Sequence, residues 1–173
     1  VGTSQIKLYM LRACVSMVAM TTWFYAISLI PIGEVTALSF LAPLFTTVGA
    51  ALVLGEVVRM RRWTATLIGF CGALIIIRPG IVEMGLGNWF ALTSAVFMGT
   101  SSLIIKTLTR GDDPWTVVFF SHLLMLPLAL VPAWLVWSWP AAEVWPYLLA
   151  TGPIAVFGHL ALTKALSVAD ASI

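Results

Sequence analysis

Five polar side chains stand inside long apolar stretches of this chain and could bind a small molecule. They are Tyr25, Ser101, His122, His159 and Lys164. Polar groups are expensive inside a lipid bilayer, so those found there often lie on the path of a solute or a proton. A histidine changes its charge near neutral pH and can carry a proton or pair with an anion. These five side chains are therefore the candidate substrate-binding residues.

Each candidate also has a plainer interpretation. Hydroxyl groups in membrane helices often bond to a carbonyl of their own helix or to a neighbouring helix. This applies to Thr21, Ser28, Ser94 and Ser101. Lys164 lies near a predicted helix end, where a long cationic side chain reaches the membrane surface. For His122 and His159, the sequence leaves a structural role and a substrate- or proton-handling role open.

The elements that position these residues are predicted from composition. Hydrophobic residues make up 61% of the chain and charged residues 9%, whereas a soluble domain carries about 25% charged residues. A soluble fold of this size could not hide so much apolar surface. A helix needs about 20 apolar residues to cross a bilayer core of about 30 Å. The sequence therefore predicts an all-α, polytopic membrane helix bundle.

About six membrane helices are predicted. They lie near residues 11–30, 35–55, 63–78, 87–108, 114–137 and 145–169. The third is short for a bilayer, and the fifth begins at Asp113–Pro114 because proline suits a first helical turn. Pro43 falls inside the second, where it removes a backbone hydrogen bond and frees a carbonyl. A plain kink and a gating hinge are both open for Pro43.

The positions of Lys and Arg predict the orientation of the chain. If residue 1 is on the cytoplasmic side, all but one of the nine basic residues fall on that side, and only Arg78 lies outside. The short outer loops carry Glu34, Glu83 and Glu143 instead. We therefore predict a multi-pass protein whose first residue is cytoplasmic.

A weak internal repeat supports a transporter plan. Residues 26–33 read AISLIPIG and align without gaps with residues 165–172, which read ALSVADAS. The first copy ends on the outer side and the second on the inner side, as in an inverted-topology repeat. Asp170 stands where the first copy has Pro31, so the second copy departs from the pattern.

Several short motifs carry a resemblance to a known family. They are YAISLIP at 25–31, APLF at 42–45, Gly55–Glu56, the glycines at 69 and 72, and IRPG at 77–80. In this order and spacing they resemble the EamA-type branch of the drug/metabolite transporter superfamily. The resemblance is close over residues 8–80 and looser over residues 87–173.

The resemblance implies ten helices in two inverted five-helix repeats. Residues 1–80 would then hold the last three helices of the first repeat, and residues 81–173 the first three of the second. It also implies a secondary transporter, or permease, that moves a small organic metabolite by alternating access. An amino acid or derivative crossing the bacterial inner membrane is the expected cargo. In this picture Lys164 faces the central cavity at the end of its helix.

Other functional classes lack support in the sequence. No catalytic Gly-x-Ser-x-Gly, His-x-x-x-His pair or phosphate-binding loop is present, so an enzyme is not expected. No cofactor, metal or nucleic acid is expected as a partner; lipid and a small-molecule substrate are. A homodimer is left open. The alternative function is a membrane scaffold or subunit that does not transport.

Overall fold

The structure is a computed structural model that describes residues 5–55, 60–77 and 84–168, without the side chains of residues 61, 62, 76 and 77. Seven α-helices occupy these ranges: α1 (Ile6–Leu29), α2 (Ile32–Ser39), α3 (Ala42–Val53), α4 (Met60–Ile77), α5 (Leu86–Leu108), α6 (Pro114–Leu135) and α7 (Trp145–Val168). A 3-10 turn, Ala142–Val144, leads into α7. The prediction of an all-α polytopic membrane fold is confirmed.

Five segments in the described ranges are long and apolar enough to cross a membrane: α1, α2 with α3, α5, α6, and the 3-10 turn with α7. The apolar part of α4, Trp63–Ile75, is shorter, as predicted for the third span. The main difference is at the beginning, because α1 starts at Ile6 and not near residue 11. The predicted helix ends at residues 78 and 169, the repeat residues 169–172, and Glu56 of the Gly55–Glu56 motif lie outside the described residues.

The second predicted span is two helices in the structure. The chain leaves α2 through tight turns, in which the amides of Phe40 and Leu41 donate to the carbonyls of Ala37 and Leu38. Pro43 then lies in the first turn of α3, where a missing N–H costs nothing because those amides have no helical partner. The irregular point is therefore at Phe40–Leu41, just before the proline, and Pro43 begins a helix where a kink within one helix had been considered.

The chain divides into two compact units. The terminal unit contains the described residues up to Cys14 and those from Ile104 onward, so it includes the start of α1, the end of α5, α6 and α7. The central unit contains the described residues from Val15 to Leu103, with the rest of α1 and α5 and all of α2, α3 and α4. These units are defined by packing, so they are no test of the predicted repeat boundary at residue 80.

Small residues build the core of the central unit. A buried cluster joins α1, α2, α4 and α5 through Ala26, Val35, Leu38, Leu41, Ala73, Ala91 and Ala95. Alanine at these positions lets helix backbones approach closely, which matters in lipid because packing there replaces the hydrophobic effect.

Two glycines in the central unit have opposite surroundings. A Cβ atom added to Gly99 of α5 would lie 2.8 Å from the carbonyl oxygen of Ala42 and 2.8 Å from Cβ of Phe45. A Cβ atom on Gly69 of α4 would meet nothing within 4 Å. Gly69 borders a groove of about 430 Å³ between α3 and α4, which Pro43 also lines. Close helix packing therefore requires glycine at position 99 and not at position 69.

In the terminal unit, α6 and α7 pack against each other. The first turn of α6 is capped by Asp113, whose Oδ2 accepts hydrogen bonds from the amides of Trp115 (3.0 Å) and Thr116 (3.1 Å). The hydroxyl of Thr116 also donates to Asp113 Oδ1. These bonds satisfy amides that have no partner within the helix, so the predicted start of this helix at Asp113–Pro114 is confirmed.

The two glycines give a matched pair of stability predictions. Gly99→Ala should lower the free energy of unfolding by about 1–3 kcal/mol, because its methyl group would overlap rigid backbone atoms. Gly69→Ala should leave stability unchanged or raise it by up to about 1 kcal/mol, since alanine favours a helix more than glycine does. Denaturation of the purified full-length variants in detergent measures both. A loss of the same size for both variants would contradict this packing.

The Asp113 cap predicts a dependence of stability on pH. The hydrogen bonds from Thr116 hold the pKa of the Asp113 carboxyl below its ordinary value. The cap therefore stabilises the fold above the pKa of the unfolded chain, about 3.9, and loses this effect as the pH falls through the lower folded value. Asparagine also caps helices but does not titrate. The difference in melting temperature between wild type and Asp113→Asn should consequently shrink or reverse from pH 6 to pH 3; a constant difference would refute the assignment.

Candidate polar site of the terminal unit

Two of the predicted histidines lie together in the terminal unit. His122 of α6 and His159 of α7 have ring centroids 5.0 Å apart, with the rings nearly perpendicular. Nδ1 of His122 is 2.8 Å from the carbonyl oxygen of Val118. A carbonyl only accepts, so Nδ1 carries the proton and Nε2 of His122 is left as an acceptor when the ring is neutral.

An arginine completes this group. Nη2 of Arg12, on α1, lies 2.5 Å from Nε2 of His159. Guanidinium nitrogens only donate, so Nε2 of His159 accepts, and this ring is neutral with its proton on Nδ1. The two hydrogen bonds thus assign the two tautomers: His122, when neutral, offers an acceptor, and His159 offers a donor.

Arg12 is almost completely enclosed. Its side chain is 3% exposed, and its Nε is a buried donor without a hydrogen-bond partner in the described part of the chain. Arg12 stands six residues after the start of α1, which is about 9 Å along the helix axis. Arg12 therefore lies within the apolar segment that begins at Ile6.

Tyr9 and Asp112 fix the start of α1 in this unit. The hydroxyl of Tyr9 donates to Oδ2 of Asp112 over 2.8 Å, and the Tyr9 ring lies 5.4 Å from that of Phe120 on α6. Tyr9 is fully buried. These contacts place the second turn of α1, and hence Arg12, against the histidines.

Lys164 is also in the terminal unit but takes no part in the hydrogen bonds described around His159. It is exposed, whereas its neighbour Thr163 is buried and donates to the carbonyl of His159 on its own helix. The structure therefore brings His122 and His159 together, with Arg12, and leaves Lys164 on the outer side of α7.

The other predicted residues lie in the central unit. Tyr25 is 63% exposed and its ring stacks on that of Phe90 at 5.7 Å. Ser101 is buried and its hydroxyl lies 2.9 Å from that of Ser16 on α1. Ser94 donates to the carbonyl of Ala19 over 3.0 Å. The two serines thus link α5 to α1 in the manner of the plainer interpretation.

Arg12 is not among the predicted site residues. The predicted start near residue 11 puts Arg12 at the beginning of the first helix, but α1 begins at Ile6 and Arg12 falls in its second turn. Lys106 is 3% exposed in the last turn of α5. The signal that would have found Arg12 is a single charge within a continuous apolar run.

The described contacts of this group are hydrogen bonds and one ring contact. A guanidinium and two imidazoles offer directed donors and acceptors in an apolar setting, where each hydrogen bond is strong. Within the described ranges, no group of three or more histidine, cysteine or acidic side chains could hold a metal ion.

Sequence similarity relates the chain to known membrane transporters. Residues 2–78 match the EamA-like transporter family. The chain is 36% identical to a riboflavin transporter of Vibrio cholerae, over 98% of this chain and 58% of that protein. It is 26% identical to an S-adenosylmethionine uptake transporter of Rickettsia prowazekii, over 98% and 58%. It is 30% identical to a pseudopaline exporter of Pseudomonas aeruginosa, over 97% and 60%.

The chain thus spans a little over half the length of these relatives. No solved structure matches it with significance. The relatives are named as transporters and not as enzymes. By sequence, the chain is similar to EamA-like membrane transporters.

Proposed function

We propose that this chain forms part of an EamA-type secondary transporter that moves a small polar metabolite across a bacterial inner membrane by alternating access. The observation that carries the proposal is the similarity to named transporters over nearly the whole chain. The five apolar segments of membrane-spanning length support it. So does the polar group formed by Arg12, His122 and His159 within those segments, since intramembrane polar groups mark solute paths.

Riboflavin is the first substrate to test. Relatives named as riboflavin transporters occur in three organisms and include the 36% identical protein of Vibrio cholerae. An amino acid derivative, the class expected from the sequence, is the second substrate to test and is represented by S-adenosylmethionine. Tyr25, whose ring is exposed beside Phe90, offers an aromatic surface for a flat heterocycle such as riboflavin. Ser101 and Lys164 remain proposed binding residues, and Pro43 a proposed hinge.

The proposed topology places the start of α1 in the cytoplasm. The distribution of Lys and Arg supports this orientation. Contacts in the terminal unit support the alternation of helices. Arg12 near the start of α1 and His122 near the start of α6 both meet His159 in the later half of α7. The ten-helix inverted repeat, with residues 1–80 and 81–173 in different halves, and a homodimer belong to the same proposal.

A flux assay tests transport directly. The full-length protein, reconstituted in liposomes, should take up radiolabelled riboflavin with saturable kinetics, and unlabelled riboflavin should compete. Liposomes without protein give the leak rate, and parallel assays with S-adenosylmethionine test the second substrate class. An imposed proton gradient shows whether uptake is coupled to protons. Folded, inserted protein that moves neither solute would favour the alternative of a non-transporting scaffold or subunit.

Substitution of His159 tests the polar group. His159→Ala removes the Nδ1 donor and the ring contact with His122 from the polar group, and a hydrogen bond to a charged group contributes about 1.5–3 kcal/mol. Transport should therefore fall by about tenfold or more. Cys71→Ala is the matched control, because Cys71 is a free, exposed side chain in the central unit. Initial rates are compared at equal amounts of inserted protein, and equal rates for the two variants would remove His159 from the site.

A further inference from the structure

The guanidinium of Arg12 uses only half of the edge that normally pairs with an anion. Nε and Nη2 of an arginine point in the same direction and together match the two oxygens of a carboxylate or phosphate. In this structure Nη2 donates to His159. Nε, on the same edge, is buried and has no hydrogen-bond partner among the described residues.

We propose that the Nε–Nη2 edge of Arg12 is a binding site for a carboxylate or phosphate group. Neutral His159 occupies half of this edge when the anion is absent. As a subsite for the transported molecule, this site rests on the proposed transport function and specifies a substrate that carries an anionic group.

The cost of burial supports this assignment. An unpaired buried donor loses its hydration without compensation, and a buried cation is more costly still. A single imidazole nitrogen supplies one lone pair and no negative charge. A carboxylate or phosphate supplies a second acceptor for the unpaired Nε and a negative charge for the guanidinium. It therefore offsets both costs of burying Arg12.

His159 is suited to act as a replaceable acceptor. Its Nε2 is tied to Arg12, while Nδ1 carries a proton that can be donated to a bound anion after the ring turns away. The exposed His122 ring packs 5.0 Å from the His159 ring. Its Nδ1 is held by the Val118 carbonyl, so His159 is the histidine that can donate to a bound anion.

Thermal unfolding of the full-length protein tests the proposal. The protein is purified in a maltoside detergent, whose headgroup has neither carboxylate nor phosphate. Succinate and inorganic phosphate are titrated, with chloride at the same ionic strength as the reference. Wild type should show a saturable rise in melting temperature with at least one of the two anions, because a ligand that binds the folded state stabilises it.

Three variants define the contribution of Arg12. Arg12→Gln should abolish the anion-dependent rise. Arg12→Lys keeps the positive charge but loses the two parallel N–H donors of the guanidinium. Its apparent Kd for the anion should therefore rise by about tenfold or more. Lys7→Gln removes an exposed charge from the same helix and should respond like wild type. If Arg12→Gln fails to fold, the change in apparent Kd of Arg12→Lys relative to Lys7→Gln decides the question.

A lipid headgroup is the other source of the same chemistry. Phosphatidylglycerol added to the detergent should stabilise wild type and Arg12→Gln equally if the site is for solutes. Stabilisation that requires Arg12 with the lipid but not with succinate or phosphate would support the anion site and overturn its role as a substrate subsite. An equal response to soluble anions in wild type and Arg12→Gln, or none in either, would overturn the proposal.

The flux assay separates this inference from the transport function. Riboflavin uptake by a protein without an Arg12-dependent anion response would overturn the anion site alone. An Arg12-dependent anion response in a protein that moves no solute would support the anion site and overturn the proposed transport function.

Discussion

The burial of an ionised guanidinium within apolar helices is the constraint on which the terminal unit depends. A cation within a membrane helix is costly, so the donors of Arg12 must find acceptors. The bond from Arg12 to His159 meets part of this requirement and joins α1 to α7. It also fixes the His159 tautomer and thereby the polar groups that the pair of histidines presents.

The same constraint shapes the central unit through the backbone. No water is available in the bilayer core, so helices are broken only where other groups accept or donate. The break between α2 and α3 is closed by tight turns, and Pro43 lies where its missing amide does no harm. Thr46 shares its hydroxyl between the carbonyls of Ala42 and Gly99. This contact accompanies the close approach of α3 and α5 at Gly99.

These features fit a carrier better than an enzyme. The polar groups are few and directed, and they lie on apolar helices. The similar proteins include uptake transporters and an exporter, which is consistent with a carrier whose direction follows the coupled gradient. The proposed anion site adds a chemical criterion for the substrate, because riboflavin has no ionised group at neutral pH whereas an amino acid derivative has a carboxylate. If riboflavin is carried, the arginine edge is not used by that substrate.

The sequence by itself determined the class of fold and most of the helices. Apolar runs of about 20 residues predict membrane helices. The capping residue Asp113 and the following Pro114 predict the start of α6. The motifs at residues 25–80 also pointed to the EamA-like family, which the comparisons support. The start of a helix is harder to predict when no capping residue marks it, because the apolar pattern gives no sharp boundary there. The first helix was therefore placed five residues too late.

Tertiary structure alone decided which polar side chains meet. His122 and His159 are separate candidates in the sequence, and Arg12 is not among the candidates. Their contact depends on how three helices distant in the chain pack and rotate, which no local pattern contains. The physical reason is that helix formation follows from residues within a few turns, whereas the satisfaction of a buried donor depends on whichever helix lies beside it.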